Sequence, residues 1–267
     1  MSKILFVILA HDDKTSLIHL VENIKHYCDK TSIVLYNSGD DPTLGDGLDI
    51  SLFPNPRRLY YAKVVRFFFD VFEWLHKSNI DFDYFINLET DMLFIKKGFE
   101  RFIEESMQGV DYLGPDYQRF TSKKSRWRPI RSLRPELKRW YELLGFEYTH
   151  QAFSPAQVFS RKYIETLLNH PQYDDILRLI SLNQSFTLQE VLLPTLPDFL
   201  KLNACSYPNA LKPINRYRPY QGIPGIKRAL STPDAYFVHP VRREPDNEAR
   251  IFIQSLQKQS EKLLDTP

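Results

Sequence analysis

An α/β fold built on a mainly parallel central sheet flanked by helices is predicted by three observations. The chain opens with strand, helix, strand order inside its first 40 residues; a second apolar helix and strand follow; and that later strand is apolar throughout rather than alternating. Such order gives a right-handed βαβ unit, because parallel strands need a crossover and the crossover packs back with one hand. A near-continuous apolar strand belongs to a sheet covered on both faces.

The elements follow in order. "KILFVILA", residues 3 to 10, reads as the first strand, and "TSLIHLVENIKHYC" carries Leu17, Leu20, Val21 and Ile24 at helical spacing. "SIVLYN", 32 to 37, is the second strand and runs into turn residues. Residues 57 to 77 read as one strongly apolar helix. Residues 83 to 88, "DYFINL", make the buried central strand; "GFERFIEESM" is a helix and "VDYLG" a short strand. "SPAQVFSRKYIETLLNH" is strand and then helix, and "LQEVLLPTLPDFL" is a helix expected to be halted by Pro194 and Pro197, which lack the amide hydrogen. Residues 207 to 233, rich in Pro and Gly, read as irregular. No linker interrupts this order, so one domain over 1 to 267 is expected.

Composition excludes several classes. With 267 residues, 43% hydrophobic and 14% aromatic, the chain can fill a large core and is not a disordered segment. The net charge of +2 gives no general attraction to nucleic acid, and no nucleic-acid module is visible. Two cysteines, Cys28 and Cys205, are too few for a disulfide framework or a thiolate zinc site, which suits the cytoplasm. The apolar run 4 to 10 is short, lacks a small-residue cleavage site and meets His11-Asp12-Asp13 at once, so it is a strand rather than a leader. No stretch approaches the ~20 apolar residues that span a bilayer, so at most peripheral membrane contact is expected. The opening is Rossmann-like, yet neither G-x-G-x-x-G nor G-x-x-x-x-G-K-[ST] occurs.

Glu89-Thr90-Asp91 follows the central strand at its carboxyl end, where open α/β sheets bind ligands. Residues i and i+2 of an extended segment share a side, so both carboxylates can face one cation or one polar substrate. The plainer alternative is a pair of solvated acids. Residues 119 to 139 hold nine Lys or Arg against the single acid Glu136. They could meet an anionic acceptor, with Trp127 and Trp140 stacking on sugar faces, or form a solvated loop.

Taken in order, "ILFVILAHDD", "DFDYFINLETDMLFI", "AFSPAQVFSRKYIETLL", "LQEVLLPTL" and "AYFVHPVRR" resemble a GT-A-fold glycosyltransferase, and within that fold the core-2/I-branching N-acetylglucosaminyltransferase group and its bacterial relatives. The resemblance implies a single GT-A domain that moves a sugar from a nucleotide-sugar donor, UDP-linked and UDP-N-acetylglucosamine by preference. The acceptor would be a hydroxyl of a surface glycan or glycolipid precursor. It implies that Glu89 and Asp91 stand where the D-x-D element holds Mn²⁺ or Mg²⁺ against the donor diphosphate. His239 would complete that coordination. Core-2 enzymes work instead without metal, with late basic residues on the diphosphate, here Arg242 and Arg243, and both chemistries remain open. His11 and Asp12 would border the nucleoside, while Asp13 can equally cap the next helix. Glu190 would be the catalytic base of an inverting transfer, although Gln189 stands where the family often has an acid. The competing reading is a catalytically inactive relative that binds glycans or serves as a scaffold. A sugar-1-phosphate nucleotidyltransferase would need a Gly-rich loop where "AHDDKTS" stands.

Overall fold

The computed structural model describes residues 2–78, 80–120 and 125–264, with side chains to residue 259. Its first half runs β1 (Ile4–Ala10), α1 (Lys14–Tyr27), β2 (Thr31–Asn37), β3 (Ser51–Leu52), α2 (Val65–Lys77), β4 (Tyr84–Glu89), β5 (Leu93–Phe94), α3 (Phe99–Ser106), β6 (Tyr112–Gly114) and β7 (Gln118–Phe120). Then come α4 (Arg128–Leu133), α5 (Leu137–Leu144), β8 (Thr149–Gln151), β9 (Val158–Ser160), α6 (Arg161–Leu168), α7 (Tyr173–Leu182), α8 (Gln189–Leu200), β10 (Ala204–Ser206), α9 (Ile223–Ser231), β11 (Phe237–Val238) and α10 (Glu248–Leu264).

Seven of the described strands form one sheet in the order β10-β6-β9-β4-β1-β2-β3. Every pairing is parallel except the two made by β9, which runs antiparallel to β4 and β6. The fold is therefore α/β with a mainly parallel sheet flanked by helices, and β4 lies inside it. Side chains of β1 alternate between two cores. Ile4, Phe6 and Ile8 pack with α1, α3 and α9, while Leu5, Val7 and Leu9 pack with α2, α6 and α8. Burial on both faces explains why these strands read as unbroken apolar runs. No helix among the described residues is long and apolar enough to cross a membrane.

Three sequence expectations need correction. The helix expected over 57 to 77 begins only at Val65. Upstream of it Ala62 takes a left-handed conformation (φ 62°), the Arg57 amide donates to the Tyr36 hydroxyl, and the Ala62 carbonyl accepts from the Thr187 amide, so 57 to 64 is a crossing loop held by tertiary bonds. Residues 207 to 233 are not wholly irregular, since α9 occupies 223 to 231, begun by Pro224 in its first turn where a missing amide hydrogen costs nothing.

The third correction is α8, which passes straight through Pro194 and Pro197. Pro194 leaves the Glu190 carbonyl without its helical donor, and the Ala152 amide supplies one at 3.0 Å. Pro197 likewise frees the Leu193 carbonyl, which accepts from the Tyr163 hydroxyl at 2.9 Å. Both freed acceptors are met from outside the helix, so the usual penalty for an interior proline is reduced.

Candidate active site

β4 ends in a tight turn, in which the Met92 amide donates to the Glu89 carbonyl at 2.9 Å, and Thr90 and Asp91 are buried within it. The chain then enters β5, which pairs antiparallel with β11 in the register Leu93 to Val238. Residues just outside that short ladder, Asp91 and His239, are thereby brought together. The imidazole Nε2 lies 3.4 Å from Asp91 Oδ1, and the Val241 amide donates to the Asp91 carbonyl at 2.8 Å. His239 is fixed in turn, its amide donating to the Ile214 carbonyl at 3.1 Å and its own carbonyl accepting from the Arg216 amide at 3.2 Å. Glu89, Asp91 and His239 each offer a ligand atom within 4.8 Å of the others.

Arg243 adds a positive charge, its Nη2 lying 3.6 Å from Asp91 Oδ2. Its backbone meets the start of α1, where the Ser16 hydroxyl lies 2.8 Å from the Arg243 carbonyl oxygen and also against the carboxylate of Asp13, which caps α1, with its one proton shared between these two acceptors. Burial pushes the Asp91 carboxyl up, but His239 and Arg243 outweigh it and hold the group below the usual carboxylate range. Glu89 moves the other way, raised by burial and by the charge of Asp91. Asp91 Oδ1 makes no hydrogen bond in spite of its approach to His239, and His239 Nδ1 and Arg243 Nε are also unpartnered. A buried, charged acceptor left open in this way fits an added cation. Two carboxylates and one imidazole suit a first-row divalent ion such as Mn²⁺, which accepts nitrogen more readily than Mg²⁺ does.

Glu190 sits in the first turn of α8 and is only 7% exposed. Its Oε1 accepts from the Ser154 amide at 3.2 Å and its Oε2 from the Thr187 hydroxyl at 3.4 Å. Burial, reinforced by the charge of Glu89, pushes its carboxyl up to about 8 despite the Ser154 bond. Glu89 thus interacts with both Asp91 and Glu190.

The remaining expected residues divide. His11, at the end of β1, contacts Ser38 through Nδ1 and is lowered by burial and by the charge of Arg243, so it borders the cluster. The turn after β2 presses against it so closely that a Cβ on Gly39 would lie 1.6 Å from the His11 carbonyl oxygen, which restricts that position to glycine. Asp12 faces solvent. Arg242 also turns outward, 3.7 Å from Glu244 and 4.7 Å above the Tyr220 ring, so it does not join Arg243 at Asp91. Trp140 is buried in the core at 3% exposure, which removes it as a stacking platform; Trp127 is half-buried at the surface. Residues 121 to 124 of the basic segment lie outside the described residues.

Two arginines at the site escaped the sequence reading. Arg218 stacks on Tyr220 at 4.0 Å, the same ring that Arg242 approaches, and its charge reaches Glu89. Arg250, fully buried on α10, donates from Nη2 to the Thr90 carbonyl and from Nε to the Arg242 carbonyl, both at 3.1 Å. Its signal was an arginine beside Ala249 and three residues before Ile253 on the apolar face of a helix, where a solvated charge would not be placed.

No protein-family model matches the chain, and no curated protein matches it. Among solved structures it is similar to the galactosyltransferase LgtC in complex with donor and acceptor sugar analogs, with a TM-score of 0.49 and 10% identity over 96% of this chain and 95% of that one.

Proposed function

We propose that the chain is a nucleotide-sugar-dependent glycosyltransferase of GT-A type, with its donor diphosphate at Asp91. The observation that carries this reading is the donor set Glu89, Asp91 and His239 at the carboxyl end of a central strand, beside a second buried acid whose pKa is raised toward neutrality. Strand ends of open sheets are where such ligands bind, and a perturbed acid next to a cation site is a candidate for proton transfer. Glu89, Asp91 and His239 would hold a divalent cation, which when bound offsets charge on a departing nucleoside diphosphate. Arg243 and Arg218 add further positive charge for the phosphates, Arg through its bidentate fork. His11 borders the nucleoside, and Asp12 is free to reach a ribose hydroxyl.

In the reaction an acceptor hydroxyl attacks the anomeric carbon, the bond from that carbon to the diphosphate oxygen breaks, and Glu190 takes the hydroxyl proton. Attack opposite the leaving group inverts the anomeric configuration. A UDP-sugar is the donor we favour. A thermal-shift panel of UDP, GDP, CMP and dTDP sugars, with and without Mn²⁺, tests the reading, since a ligand at about 100 times its dissociation constant adds about 2.7 kcal/mol. One nucleotide is expected to stand out and to depend on the metal.

Asp91→Asn keeps the shape and removes the charge, so both the Mn²⁺ response and donor affinity are expected to fall by at least about tenfold, matching the loss of a charged contact of ~1.5 to 3 kcal/mol. Titration calorimetry of UDP with and without Mn²⁺ measures both. Unchanged values would leave the diphosphate to Arg243 and Arg218 without a cation.

A further inference from the structure

The central strand β4 carries one amide side chain among its apolar residues, Asn87, which is buried at 3% exposure between Ile86 and Leu88. It is aligned with Val7 of β1 and lies two residues before Glu89, so both side chains face the layer that holds α8. An amide is depleted in strands, and burying one is costly unless its donor and its acceptor are both met. Here one segment meets both. The antiparallel pairing of β9 with β4 ends at Val158 and Ile86. Beyond it the Ala156 amide donates to the Asn87 carbonyl at 3.0 Å, the Gln157 amide donates to Asn87 Oδ1 at 3.0 Å, and Asn87 Nδ2 donates to the Ser154 carbonyl at 2.9 Å. These bonds hold a turn in which Ala156 takes a left-handed conformation (φ 64°), one that a side chain disfavours.

The same segment grips the acid of α8. Ser154 is held at both ends: its carbonyl accepts from Asn87, and its amide donates to Glu190 Oε1 at 3.2 Å. Two residues earlier the Ala152 amide donates to the Glu190 carbonyl at 3.0 Å. Backbone and side chain of Glu190 are thus bound to residues 152 to 154, and Asn87 binds that segment to the strand that carries Glu89. The residue type follows from what the segment presents, one carbonyl and one amide hydrogen. A carboxylate at position 87 would lack the donor and add negative charge beside Glu89, and a hydroxyl is too short to reach both partners.

We propose that Asn87 is a positioning residue for the transfer: it holds residues 154 to 157 so that the Glu190 carboxylate keeps its place relative to the cation ligands at the end of β4. The role in transfer rests on the reading of Glu190 as the base, whereas the link from Asn87 to the Glu190 carboxyl does not. The test uses Asn87→Ala, in which the vacated space can admit a water that satisfies both groups without fixing their spacing, and Asn87→Thr, which suits a strand and keeps one hydroxyl. Sugar transfer is expected to fall about tenfold in Asn87→Ala and less in Asn87→Thr, with UDP affinity within about twofold of wild type. Combined with Glu190→Gln, Asn87→Ala should change the residual rate by less than about twofold, because its effect passes through the carboxylate already lost. The Glu190 carboxyl itself is followed by carbon-13 NMR of glutamate-labelled protein, assigned from the Glu190→Gln spectrum. Its midpoint should rise by about half to one pH unit, since the Ser154 amide favours the charged form, while Glu89 and Tyr112, the other groups in its field, are unaltered. Should Asn87→Ala not fold, Asn87→Thr gives the same readings. An Asn87 that is merely structural would lower the rate equally with Glu190 or Gln at that position and leave the midpoint in place, and that pair of results in a folded variant would overturn the proposal. A fall in UDP affinity as large as the fall in rate would do the same, because Asn87 would then act on the cation ligands. If wild type transfers sugar from no donor, the transferase reading fails and the midpoint alone decides the link to Glu190.

Discussion

Glu190→Gln is expected to preserve folding and donor binding while sugar transfer falls by about 10² to 10⁴ in rate. The amide oxygen can still accept from the Ser154 amide and the shape is retained, so only the ability to take a proton is lost. In the wild type the carboxyl titrates near 8, so transfer should rise with pH through that region, and the variant should lack this limb. Stability moves the opposite way. Because the folded-state pKa is raised above the ordinary value of 4.5, the folded protein keeps a proton that the unfolded chain sheds, and this contribution is fully present below 4.5 and lost as pH rises through about 8. Glu190→Gln should therefore melt above wild type at pH 9, by roughly 3 to 5 kcal/mol at most. Product formation from UDP-sugar and calorimetry at pH 6 and 9 measure the two effects. A near wild-type rate would leave Glu190 as a first-turn glutamate that favours the positive end of its helix, worth under about 1 kcal/mol.

Arg250→Met should be the most destabilising of the substitutions considered, by about 3 to 5 kcal/mol, with a melting temperature lower by roughly 10 °C. Methionine can occupy much of the space but cannot donate to the carbonyls of Thr90 and Arg242, and each buried acceptor so abandoned costs about 1 to 3 kcal/mol. Burial lowers the Arg250 pKa, and Asp13 and Asp91 oppose that shift, so the cation also balances acids on two sides. Donor affinity should drop with stability, since Thr90 and Arg242 adjoin Asp91 and Arg243. Arg250→Lys is not expected to rescue, because one ammonium cannot span both carbonyls as the guanidinium fork does. Scanning calorimetry with UDP titration decides. A melting temperature within a degree or two of wild type would show that α10 needs no such staple.

The central sheet was legible because its evidence is local. β1, β2 and β4 fall within one residue of their expected ends, since apolar runs bounded by turn residues reflect burial on both faces. Glu89, Asp91 and His239 were legible as types at strand ends, and the structure brings them together. What stayed hidden depends on residues distant in sequence. Nothing near Arg57 announces that Tyr36 will take its amide, and nothing in "RYRPY" says that Arg218 will reach the field of Glu89. The frame around the acid of α8 is of the same kind, assembled from Asn87, Ser154 and Glu190, which no spacing rule connects.

The prolines of α8 have a further effect on what position 194 tolerates. In most helices alanine is the preferred residue and proline the worst. Here alanine would bring an amide hydrogen that points at the Glu190 carbonyl, where the Ala152 amide already binds. That carbonyl has two lone pairs, but the second amide would compete with the Ala152 amide for its best geometry, and any relief would come by loosening the segment after β8 that carries Ser154. Proline leaves that carbonyl to a single donor and so fixes the Glu190 backbone to the segment that also grips its carboxylate. The ordinary penalty for proline is reduced at this site, and the residue that weakens the helix in isolation leaves the Glu190 carbonyl to the segment that also grips its carboxylate.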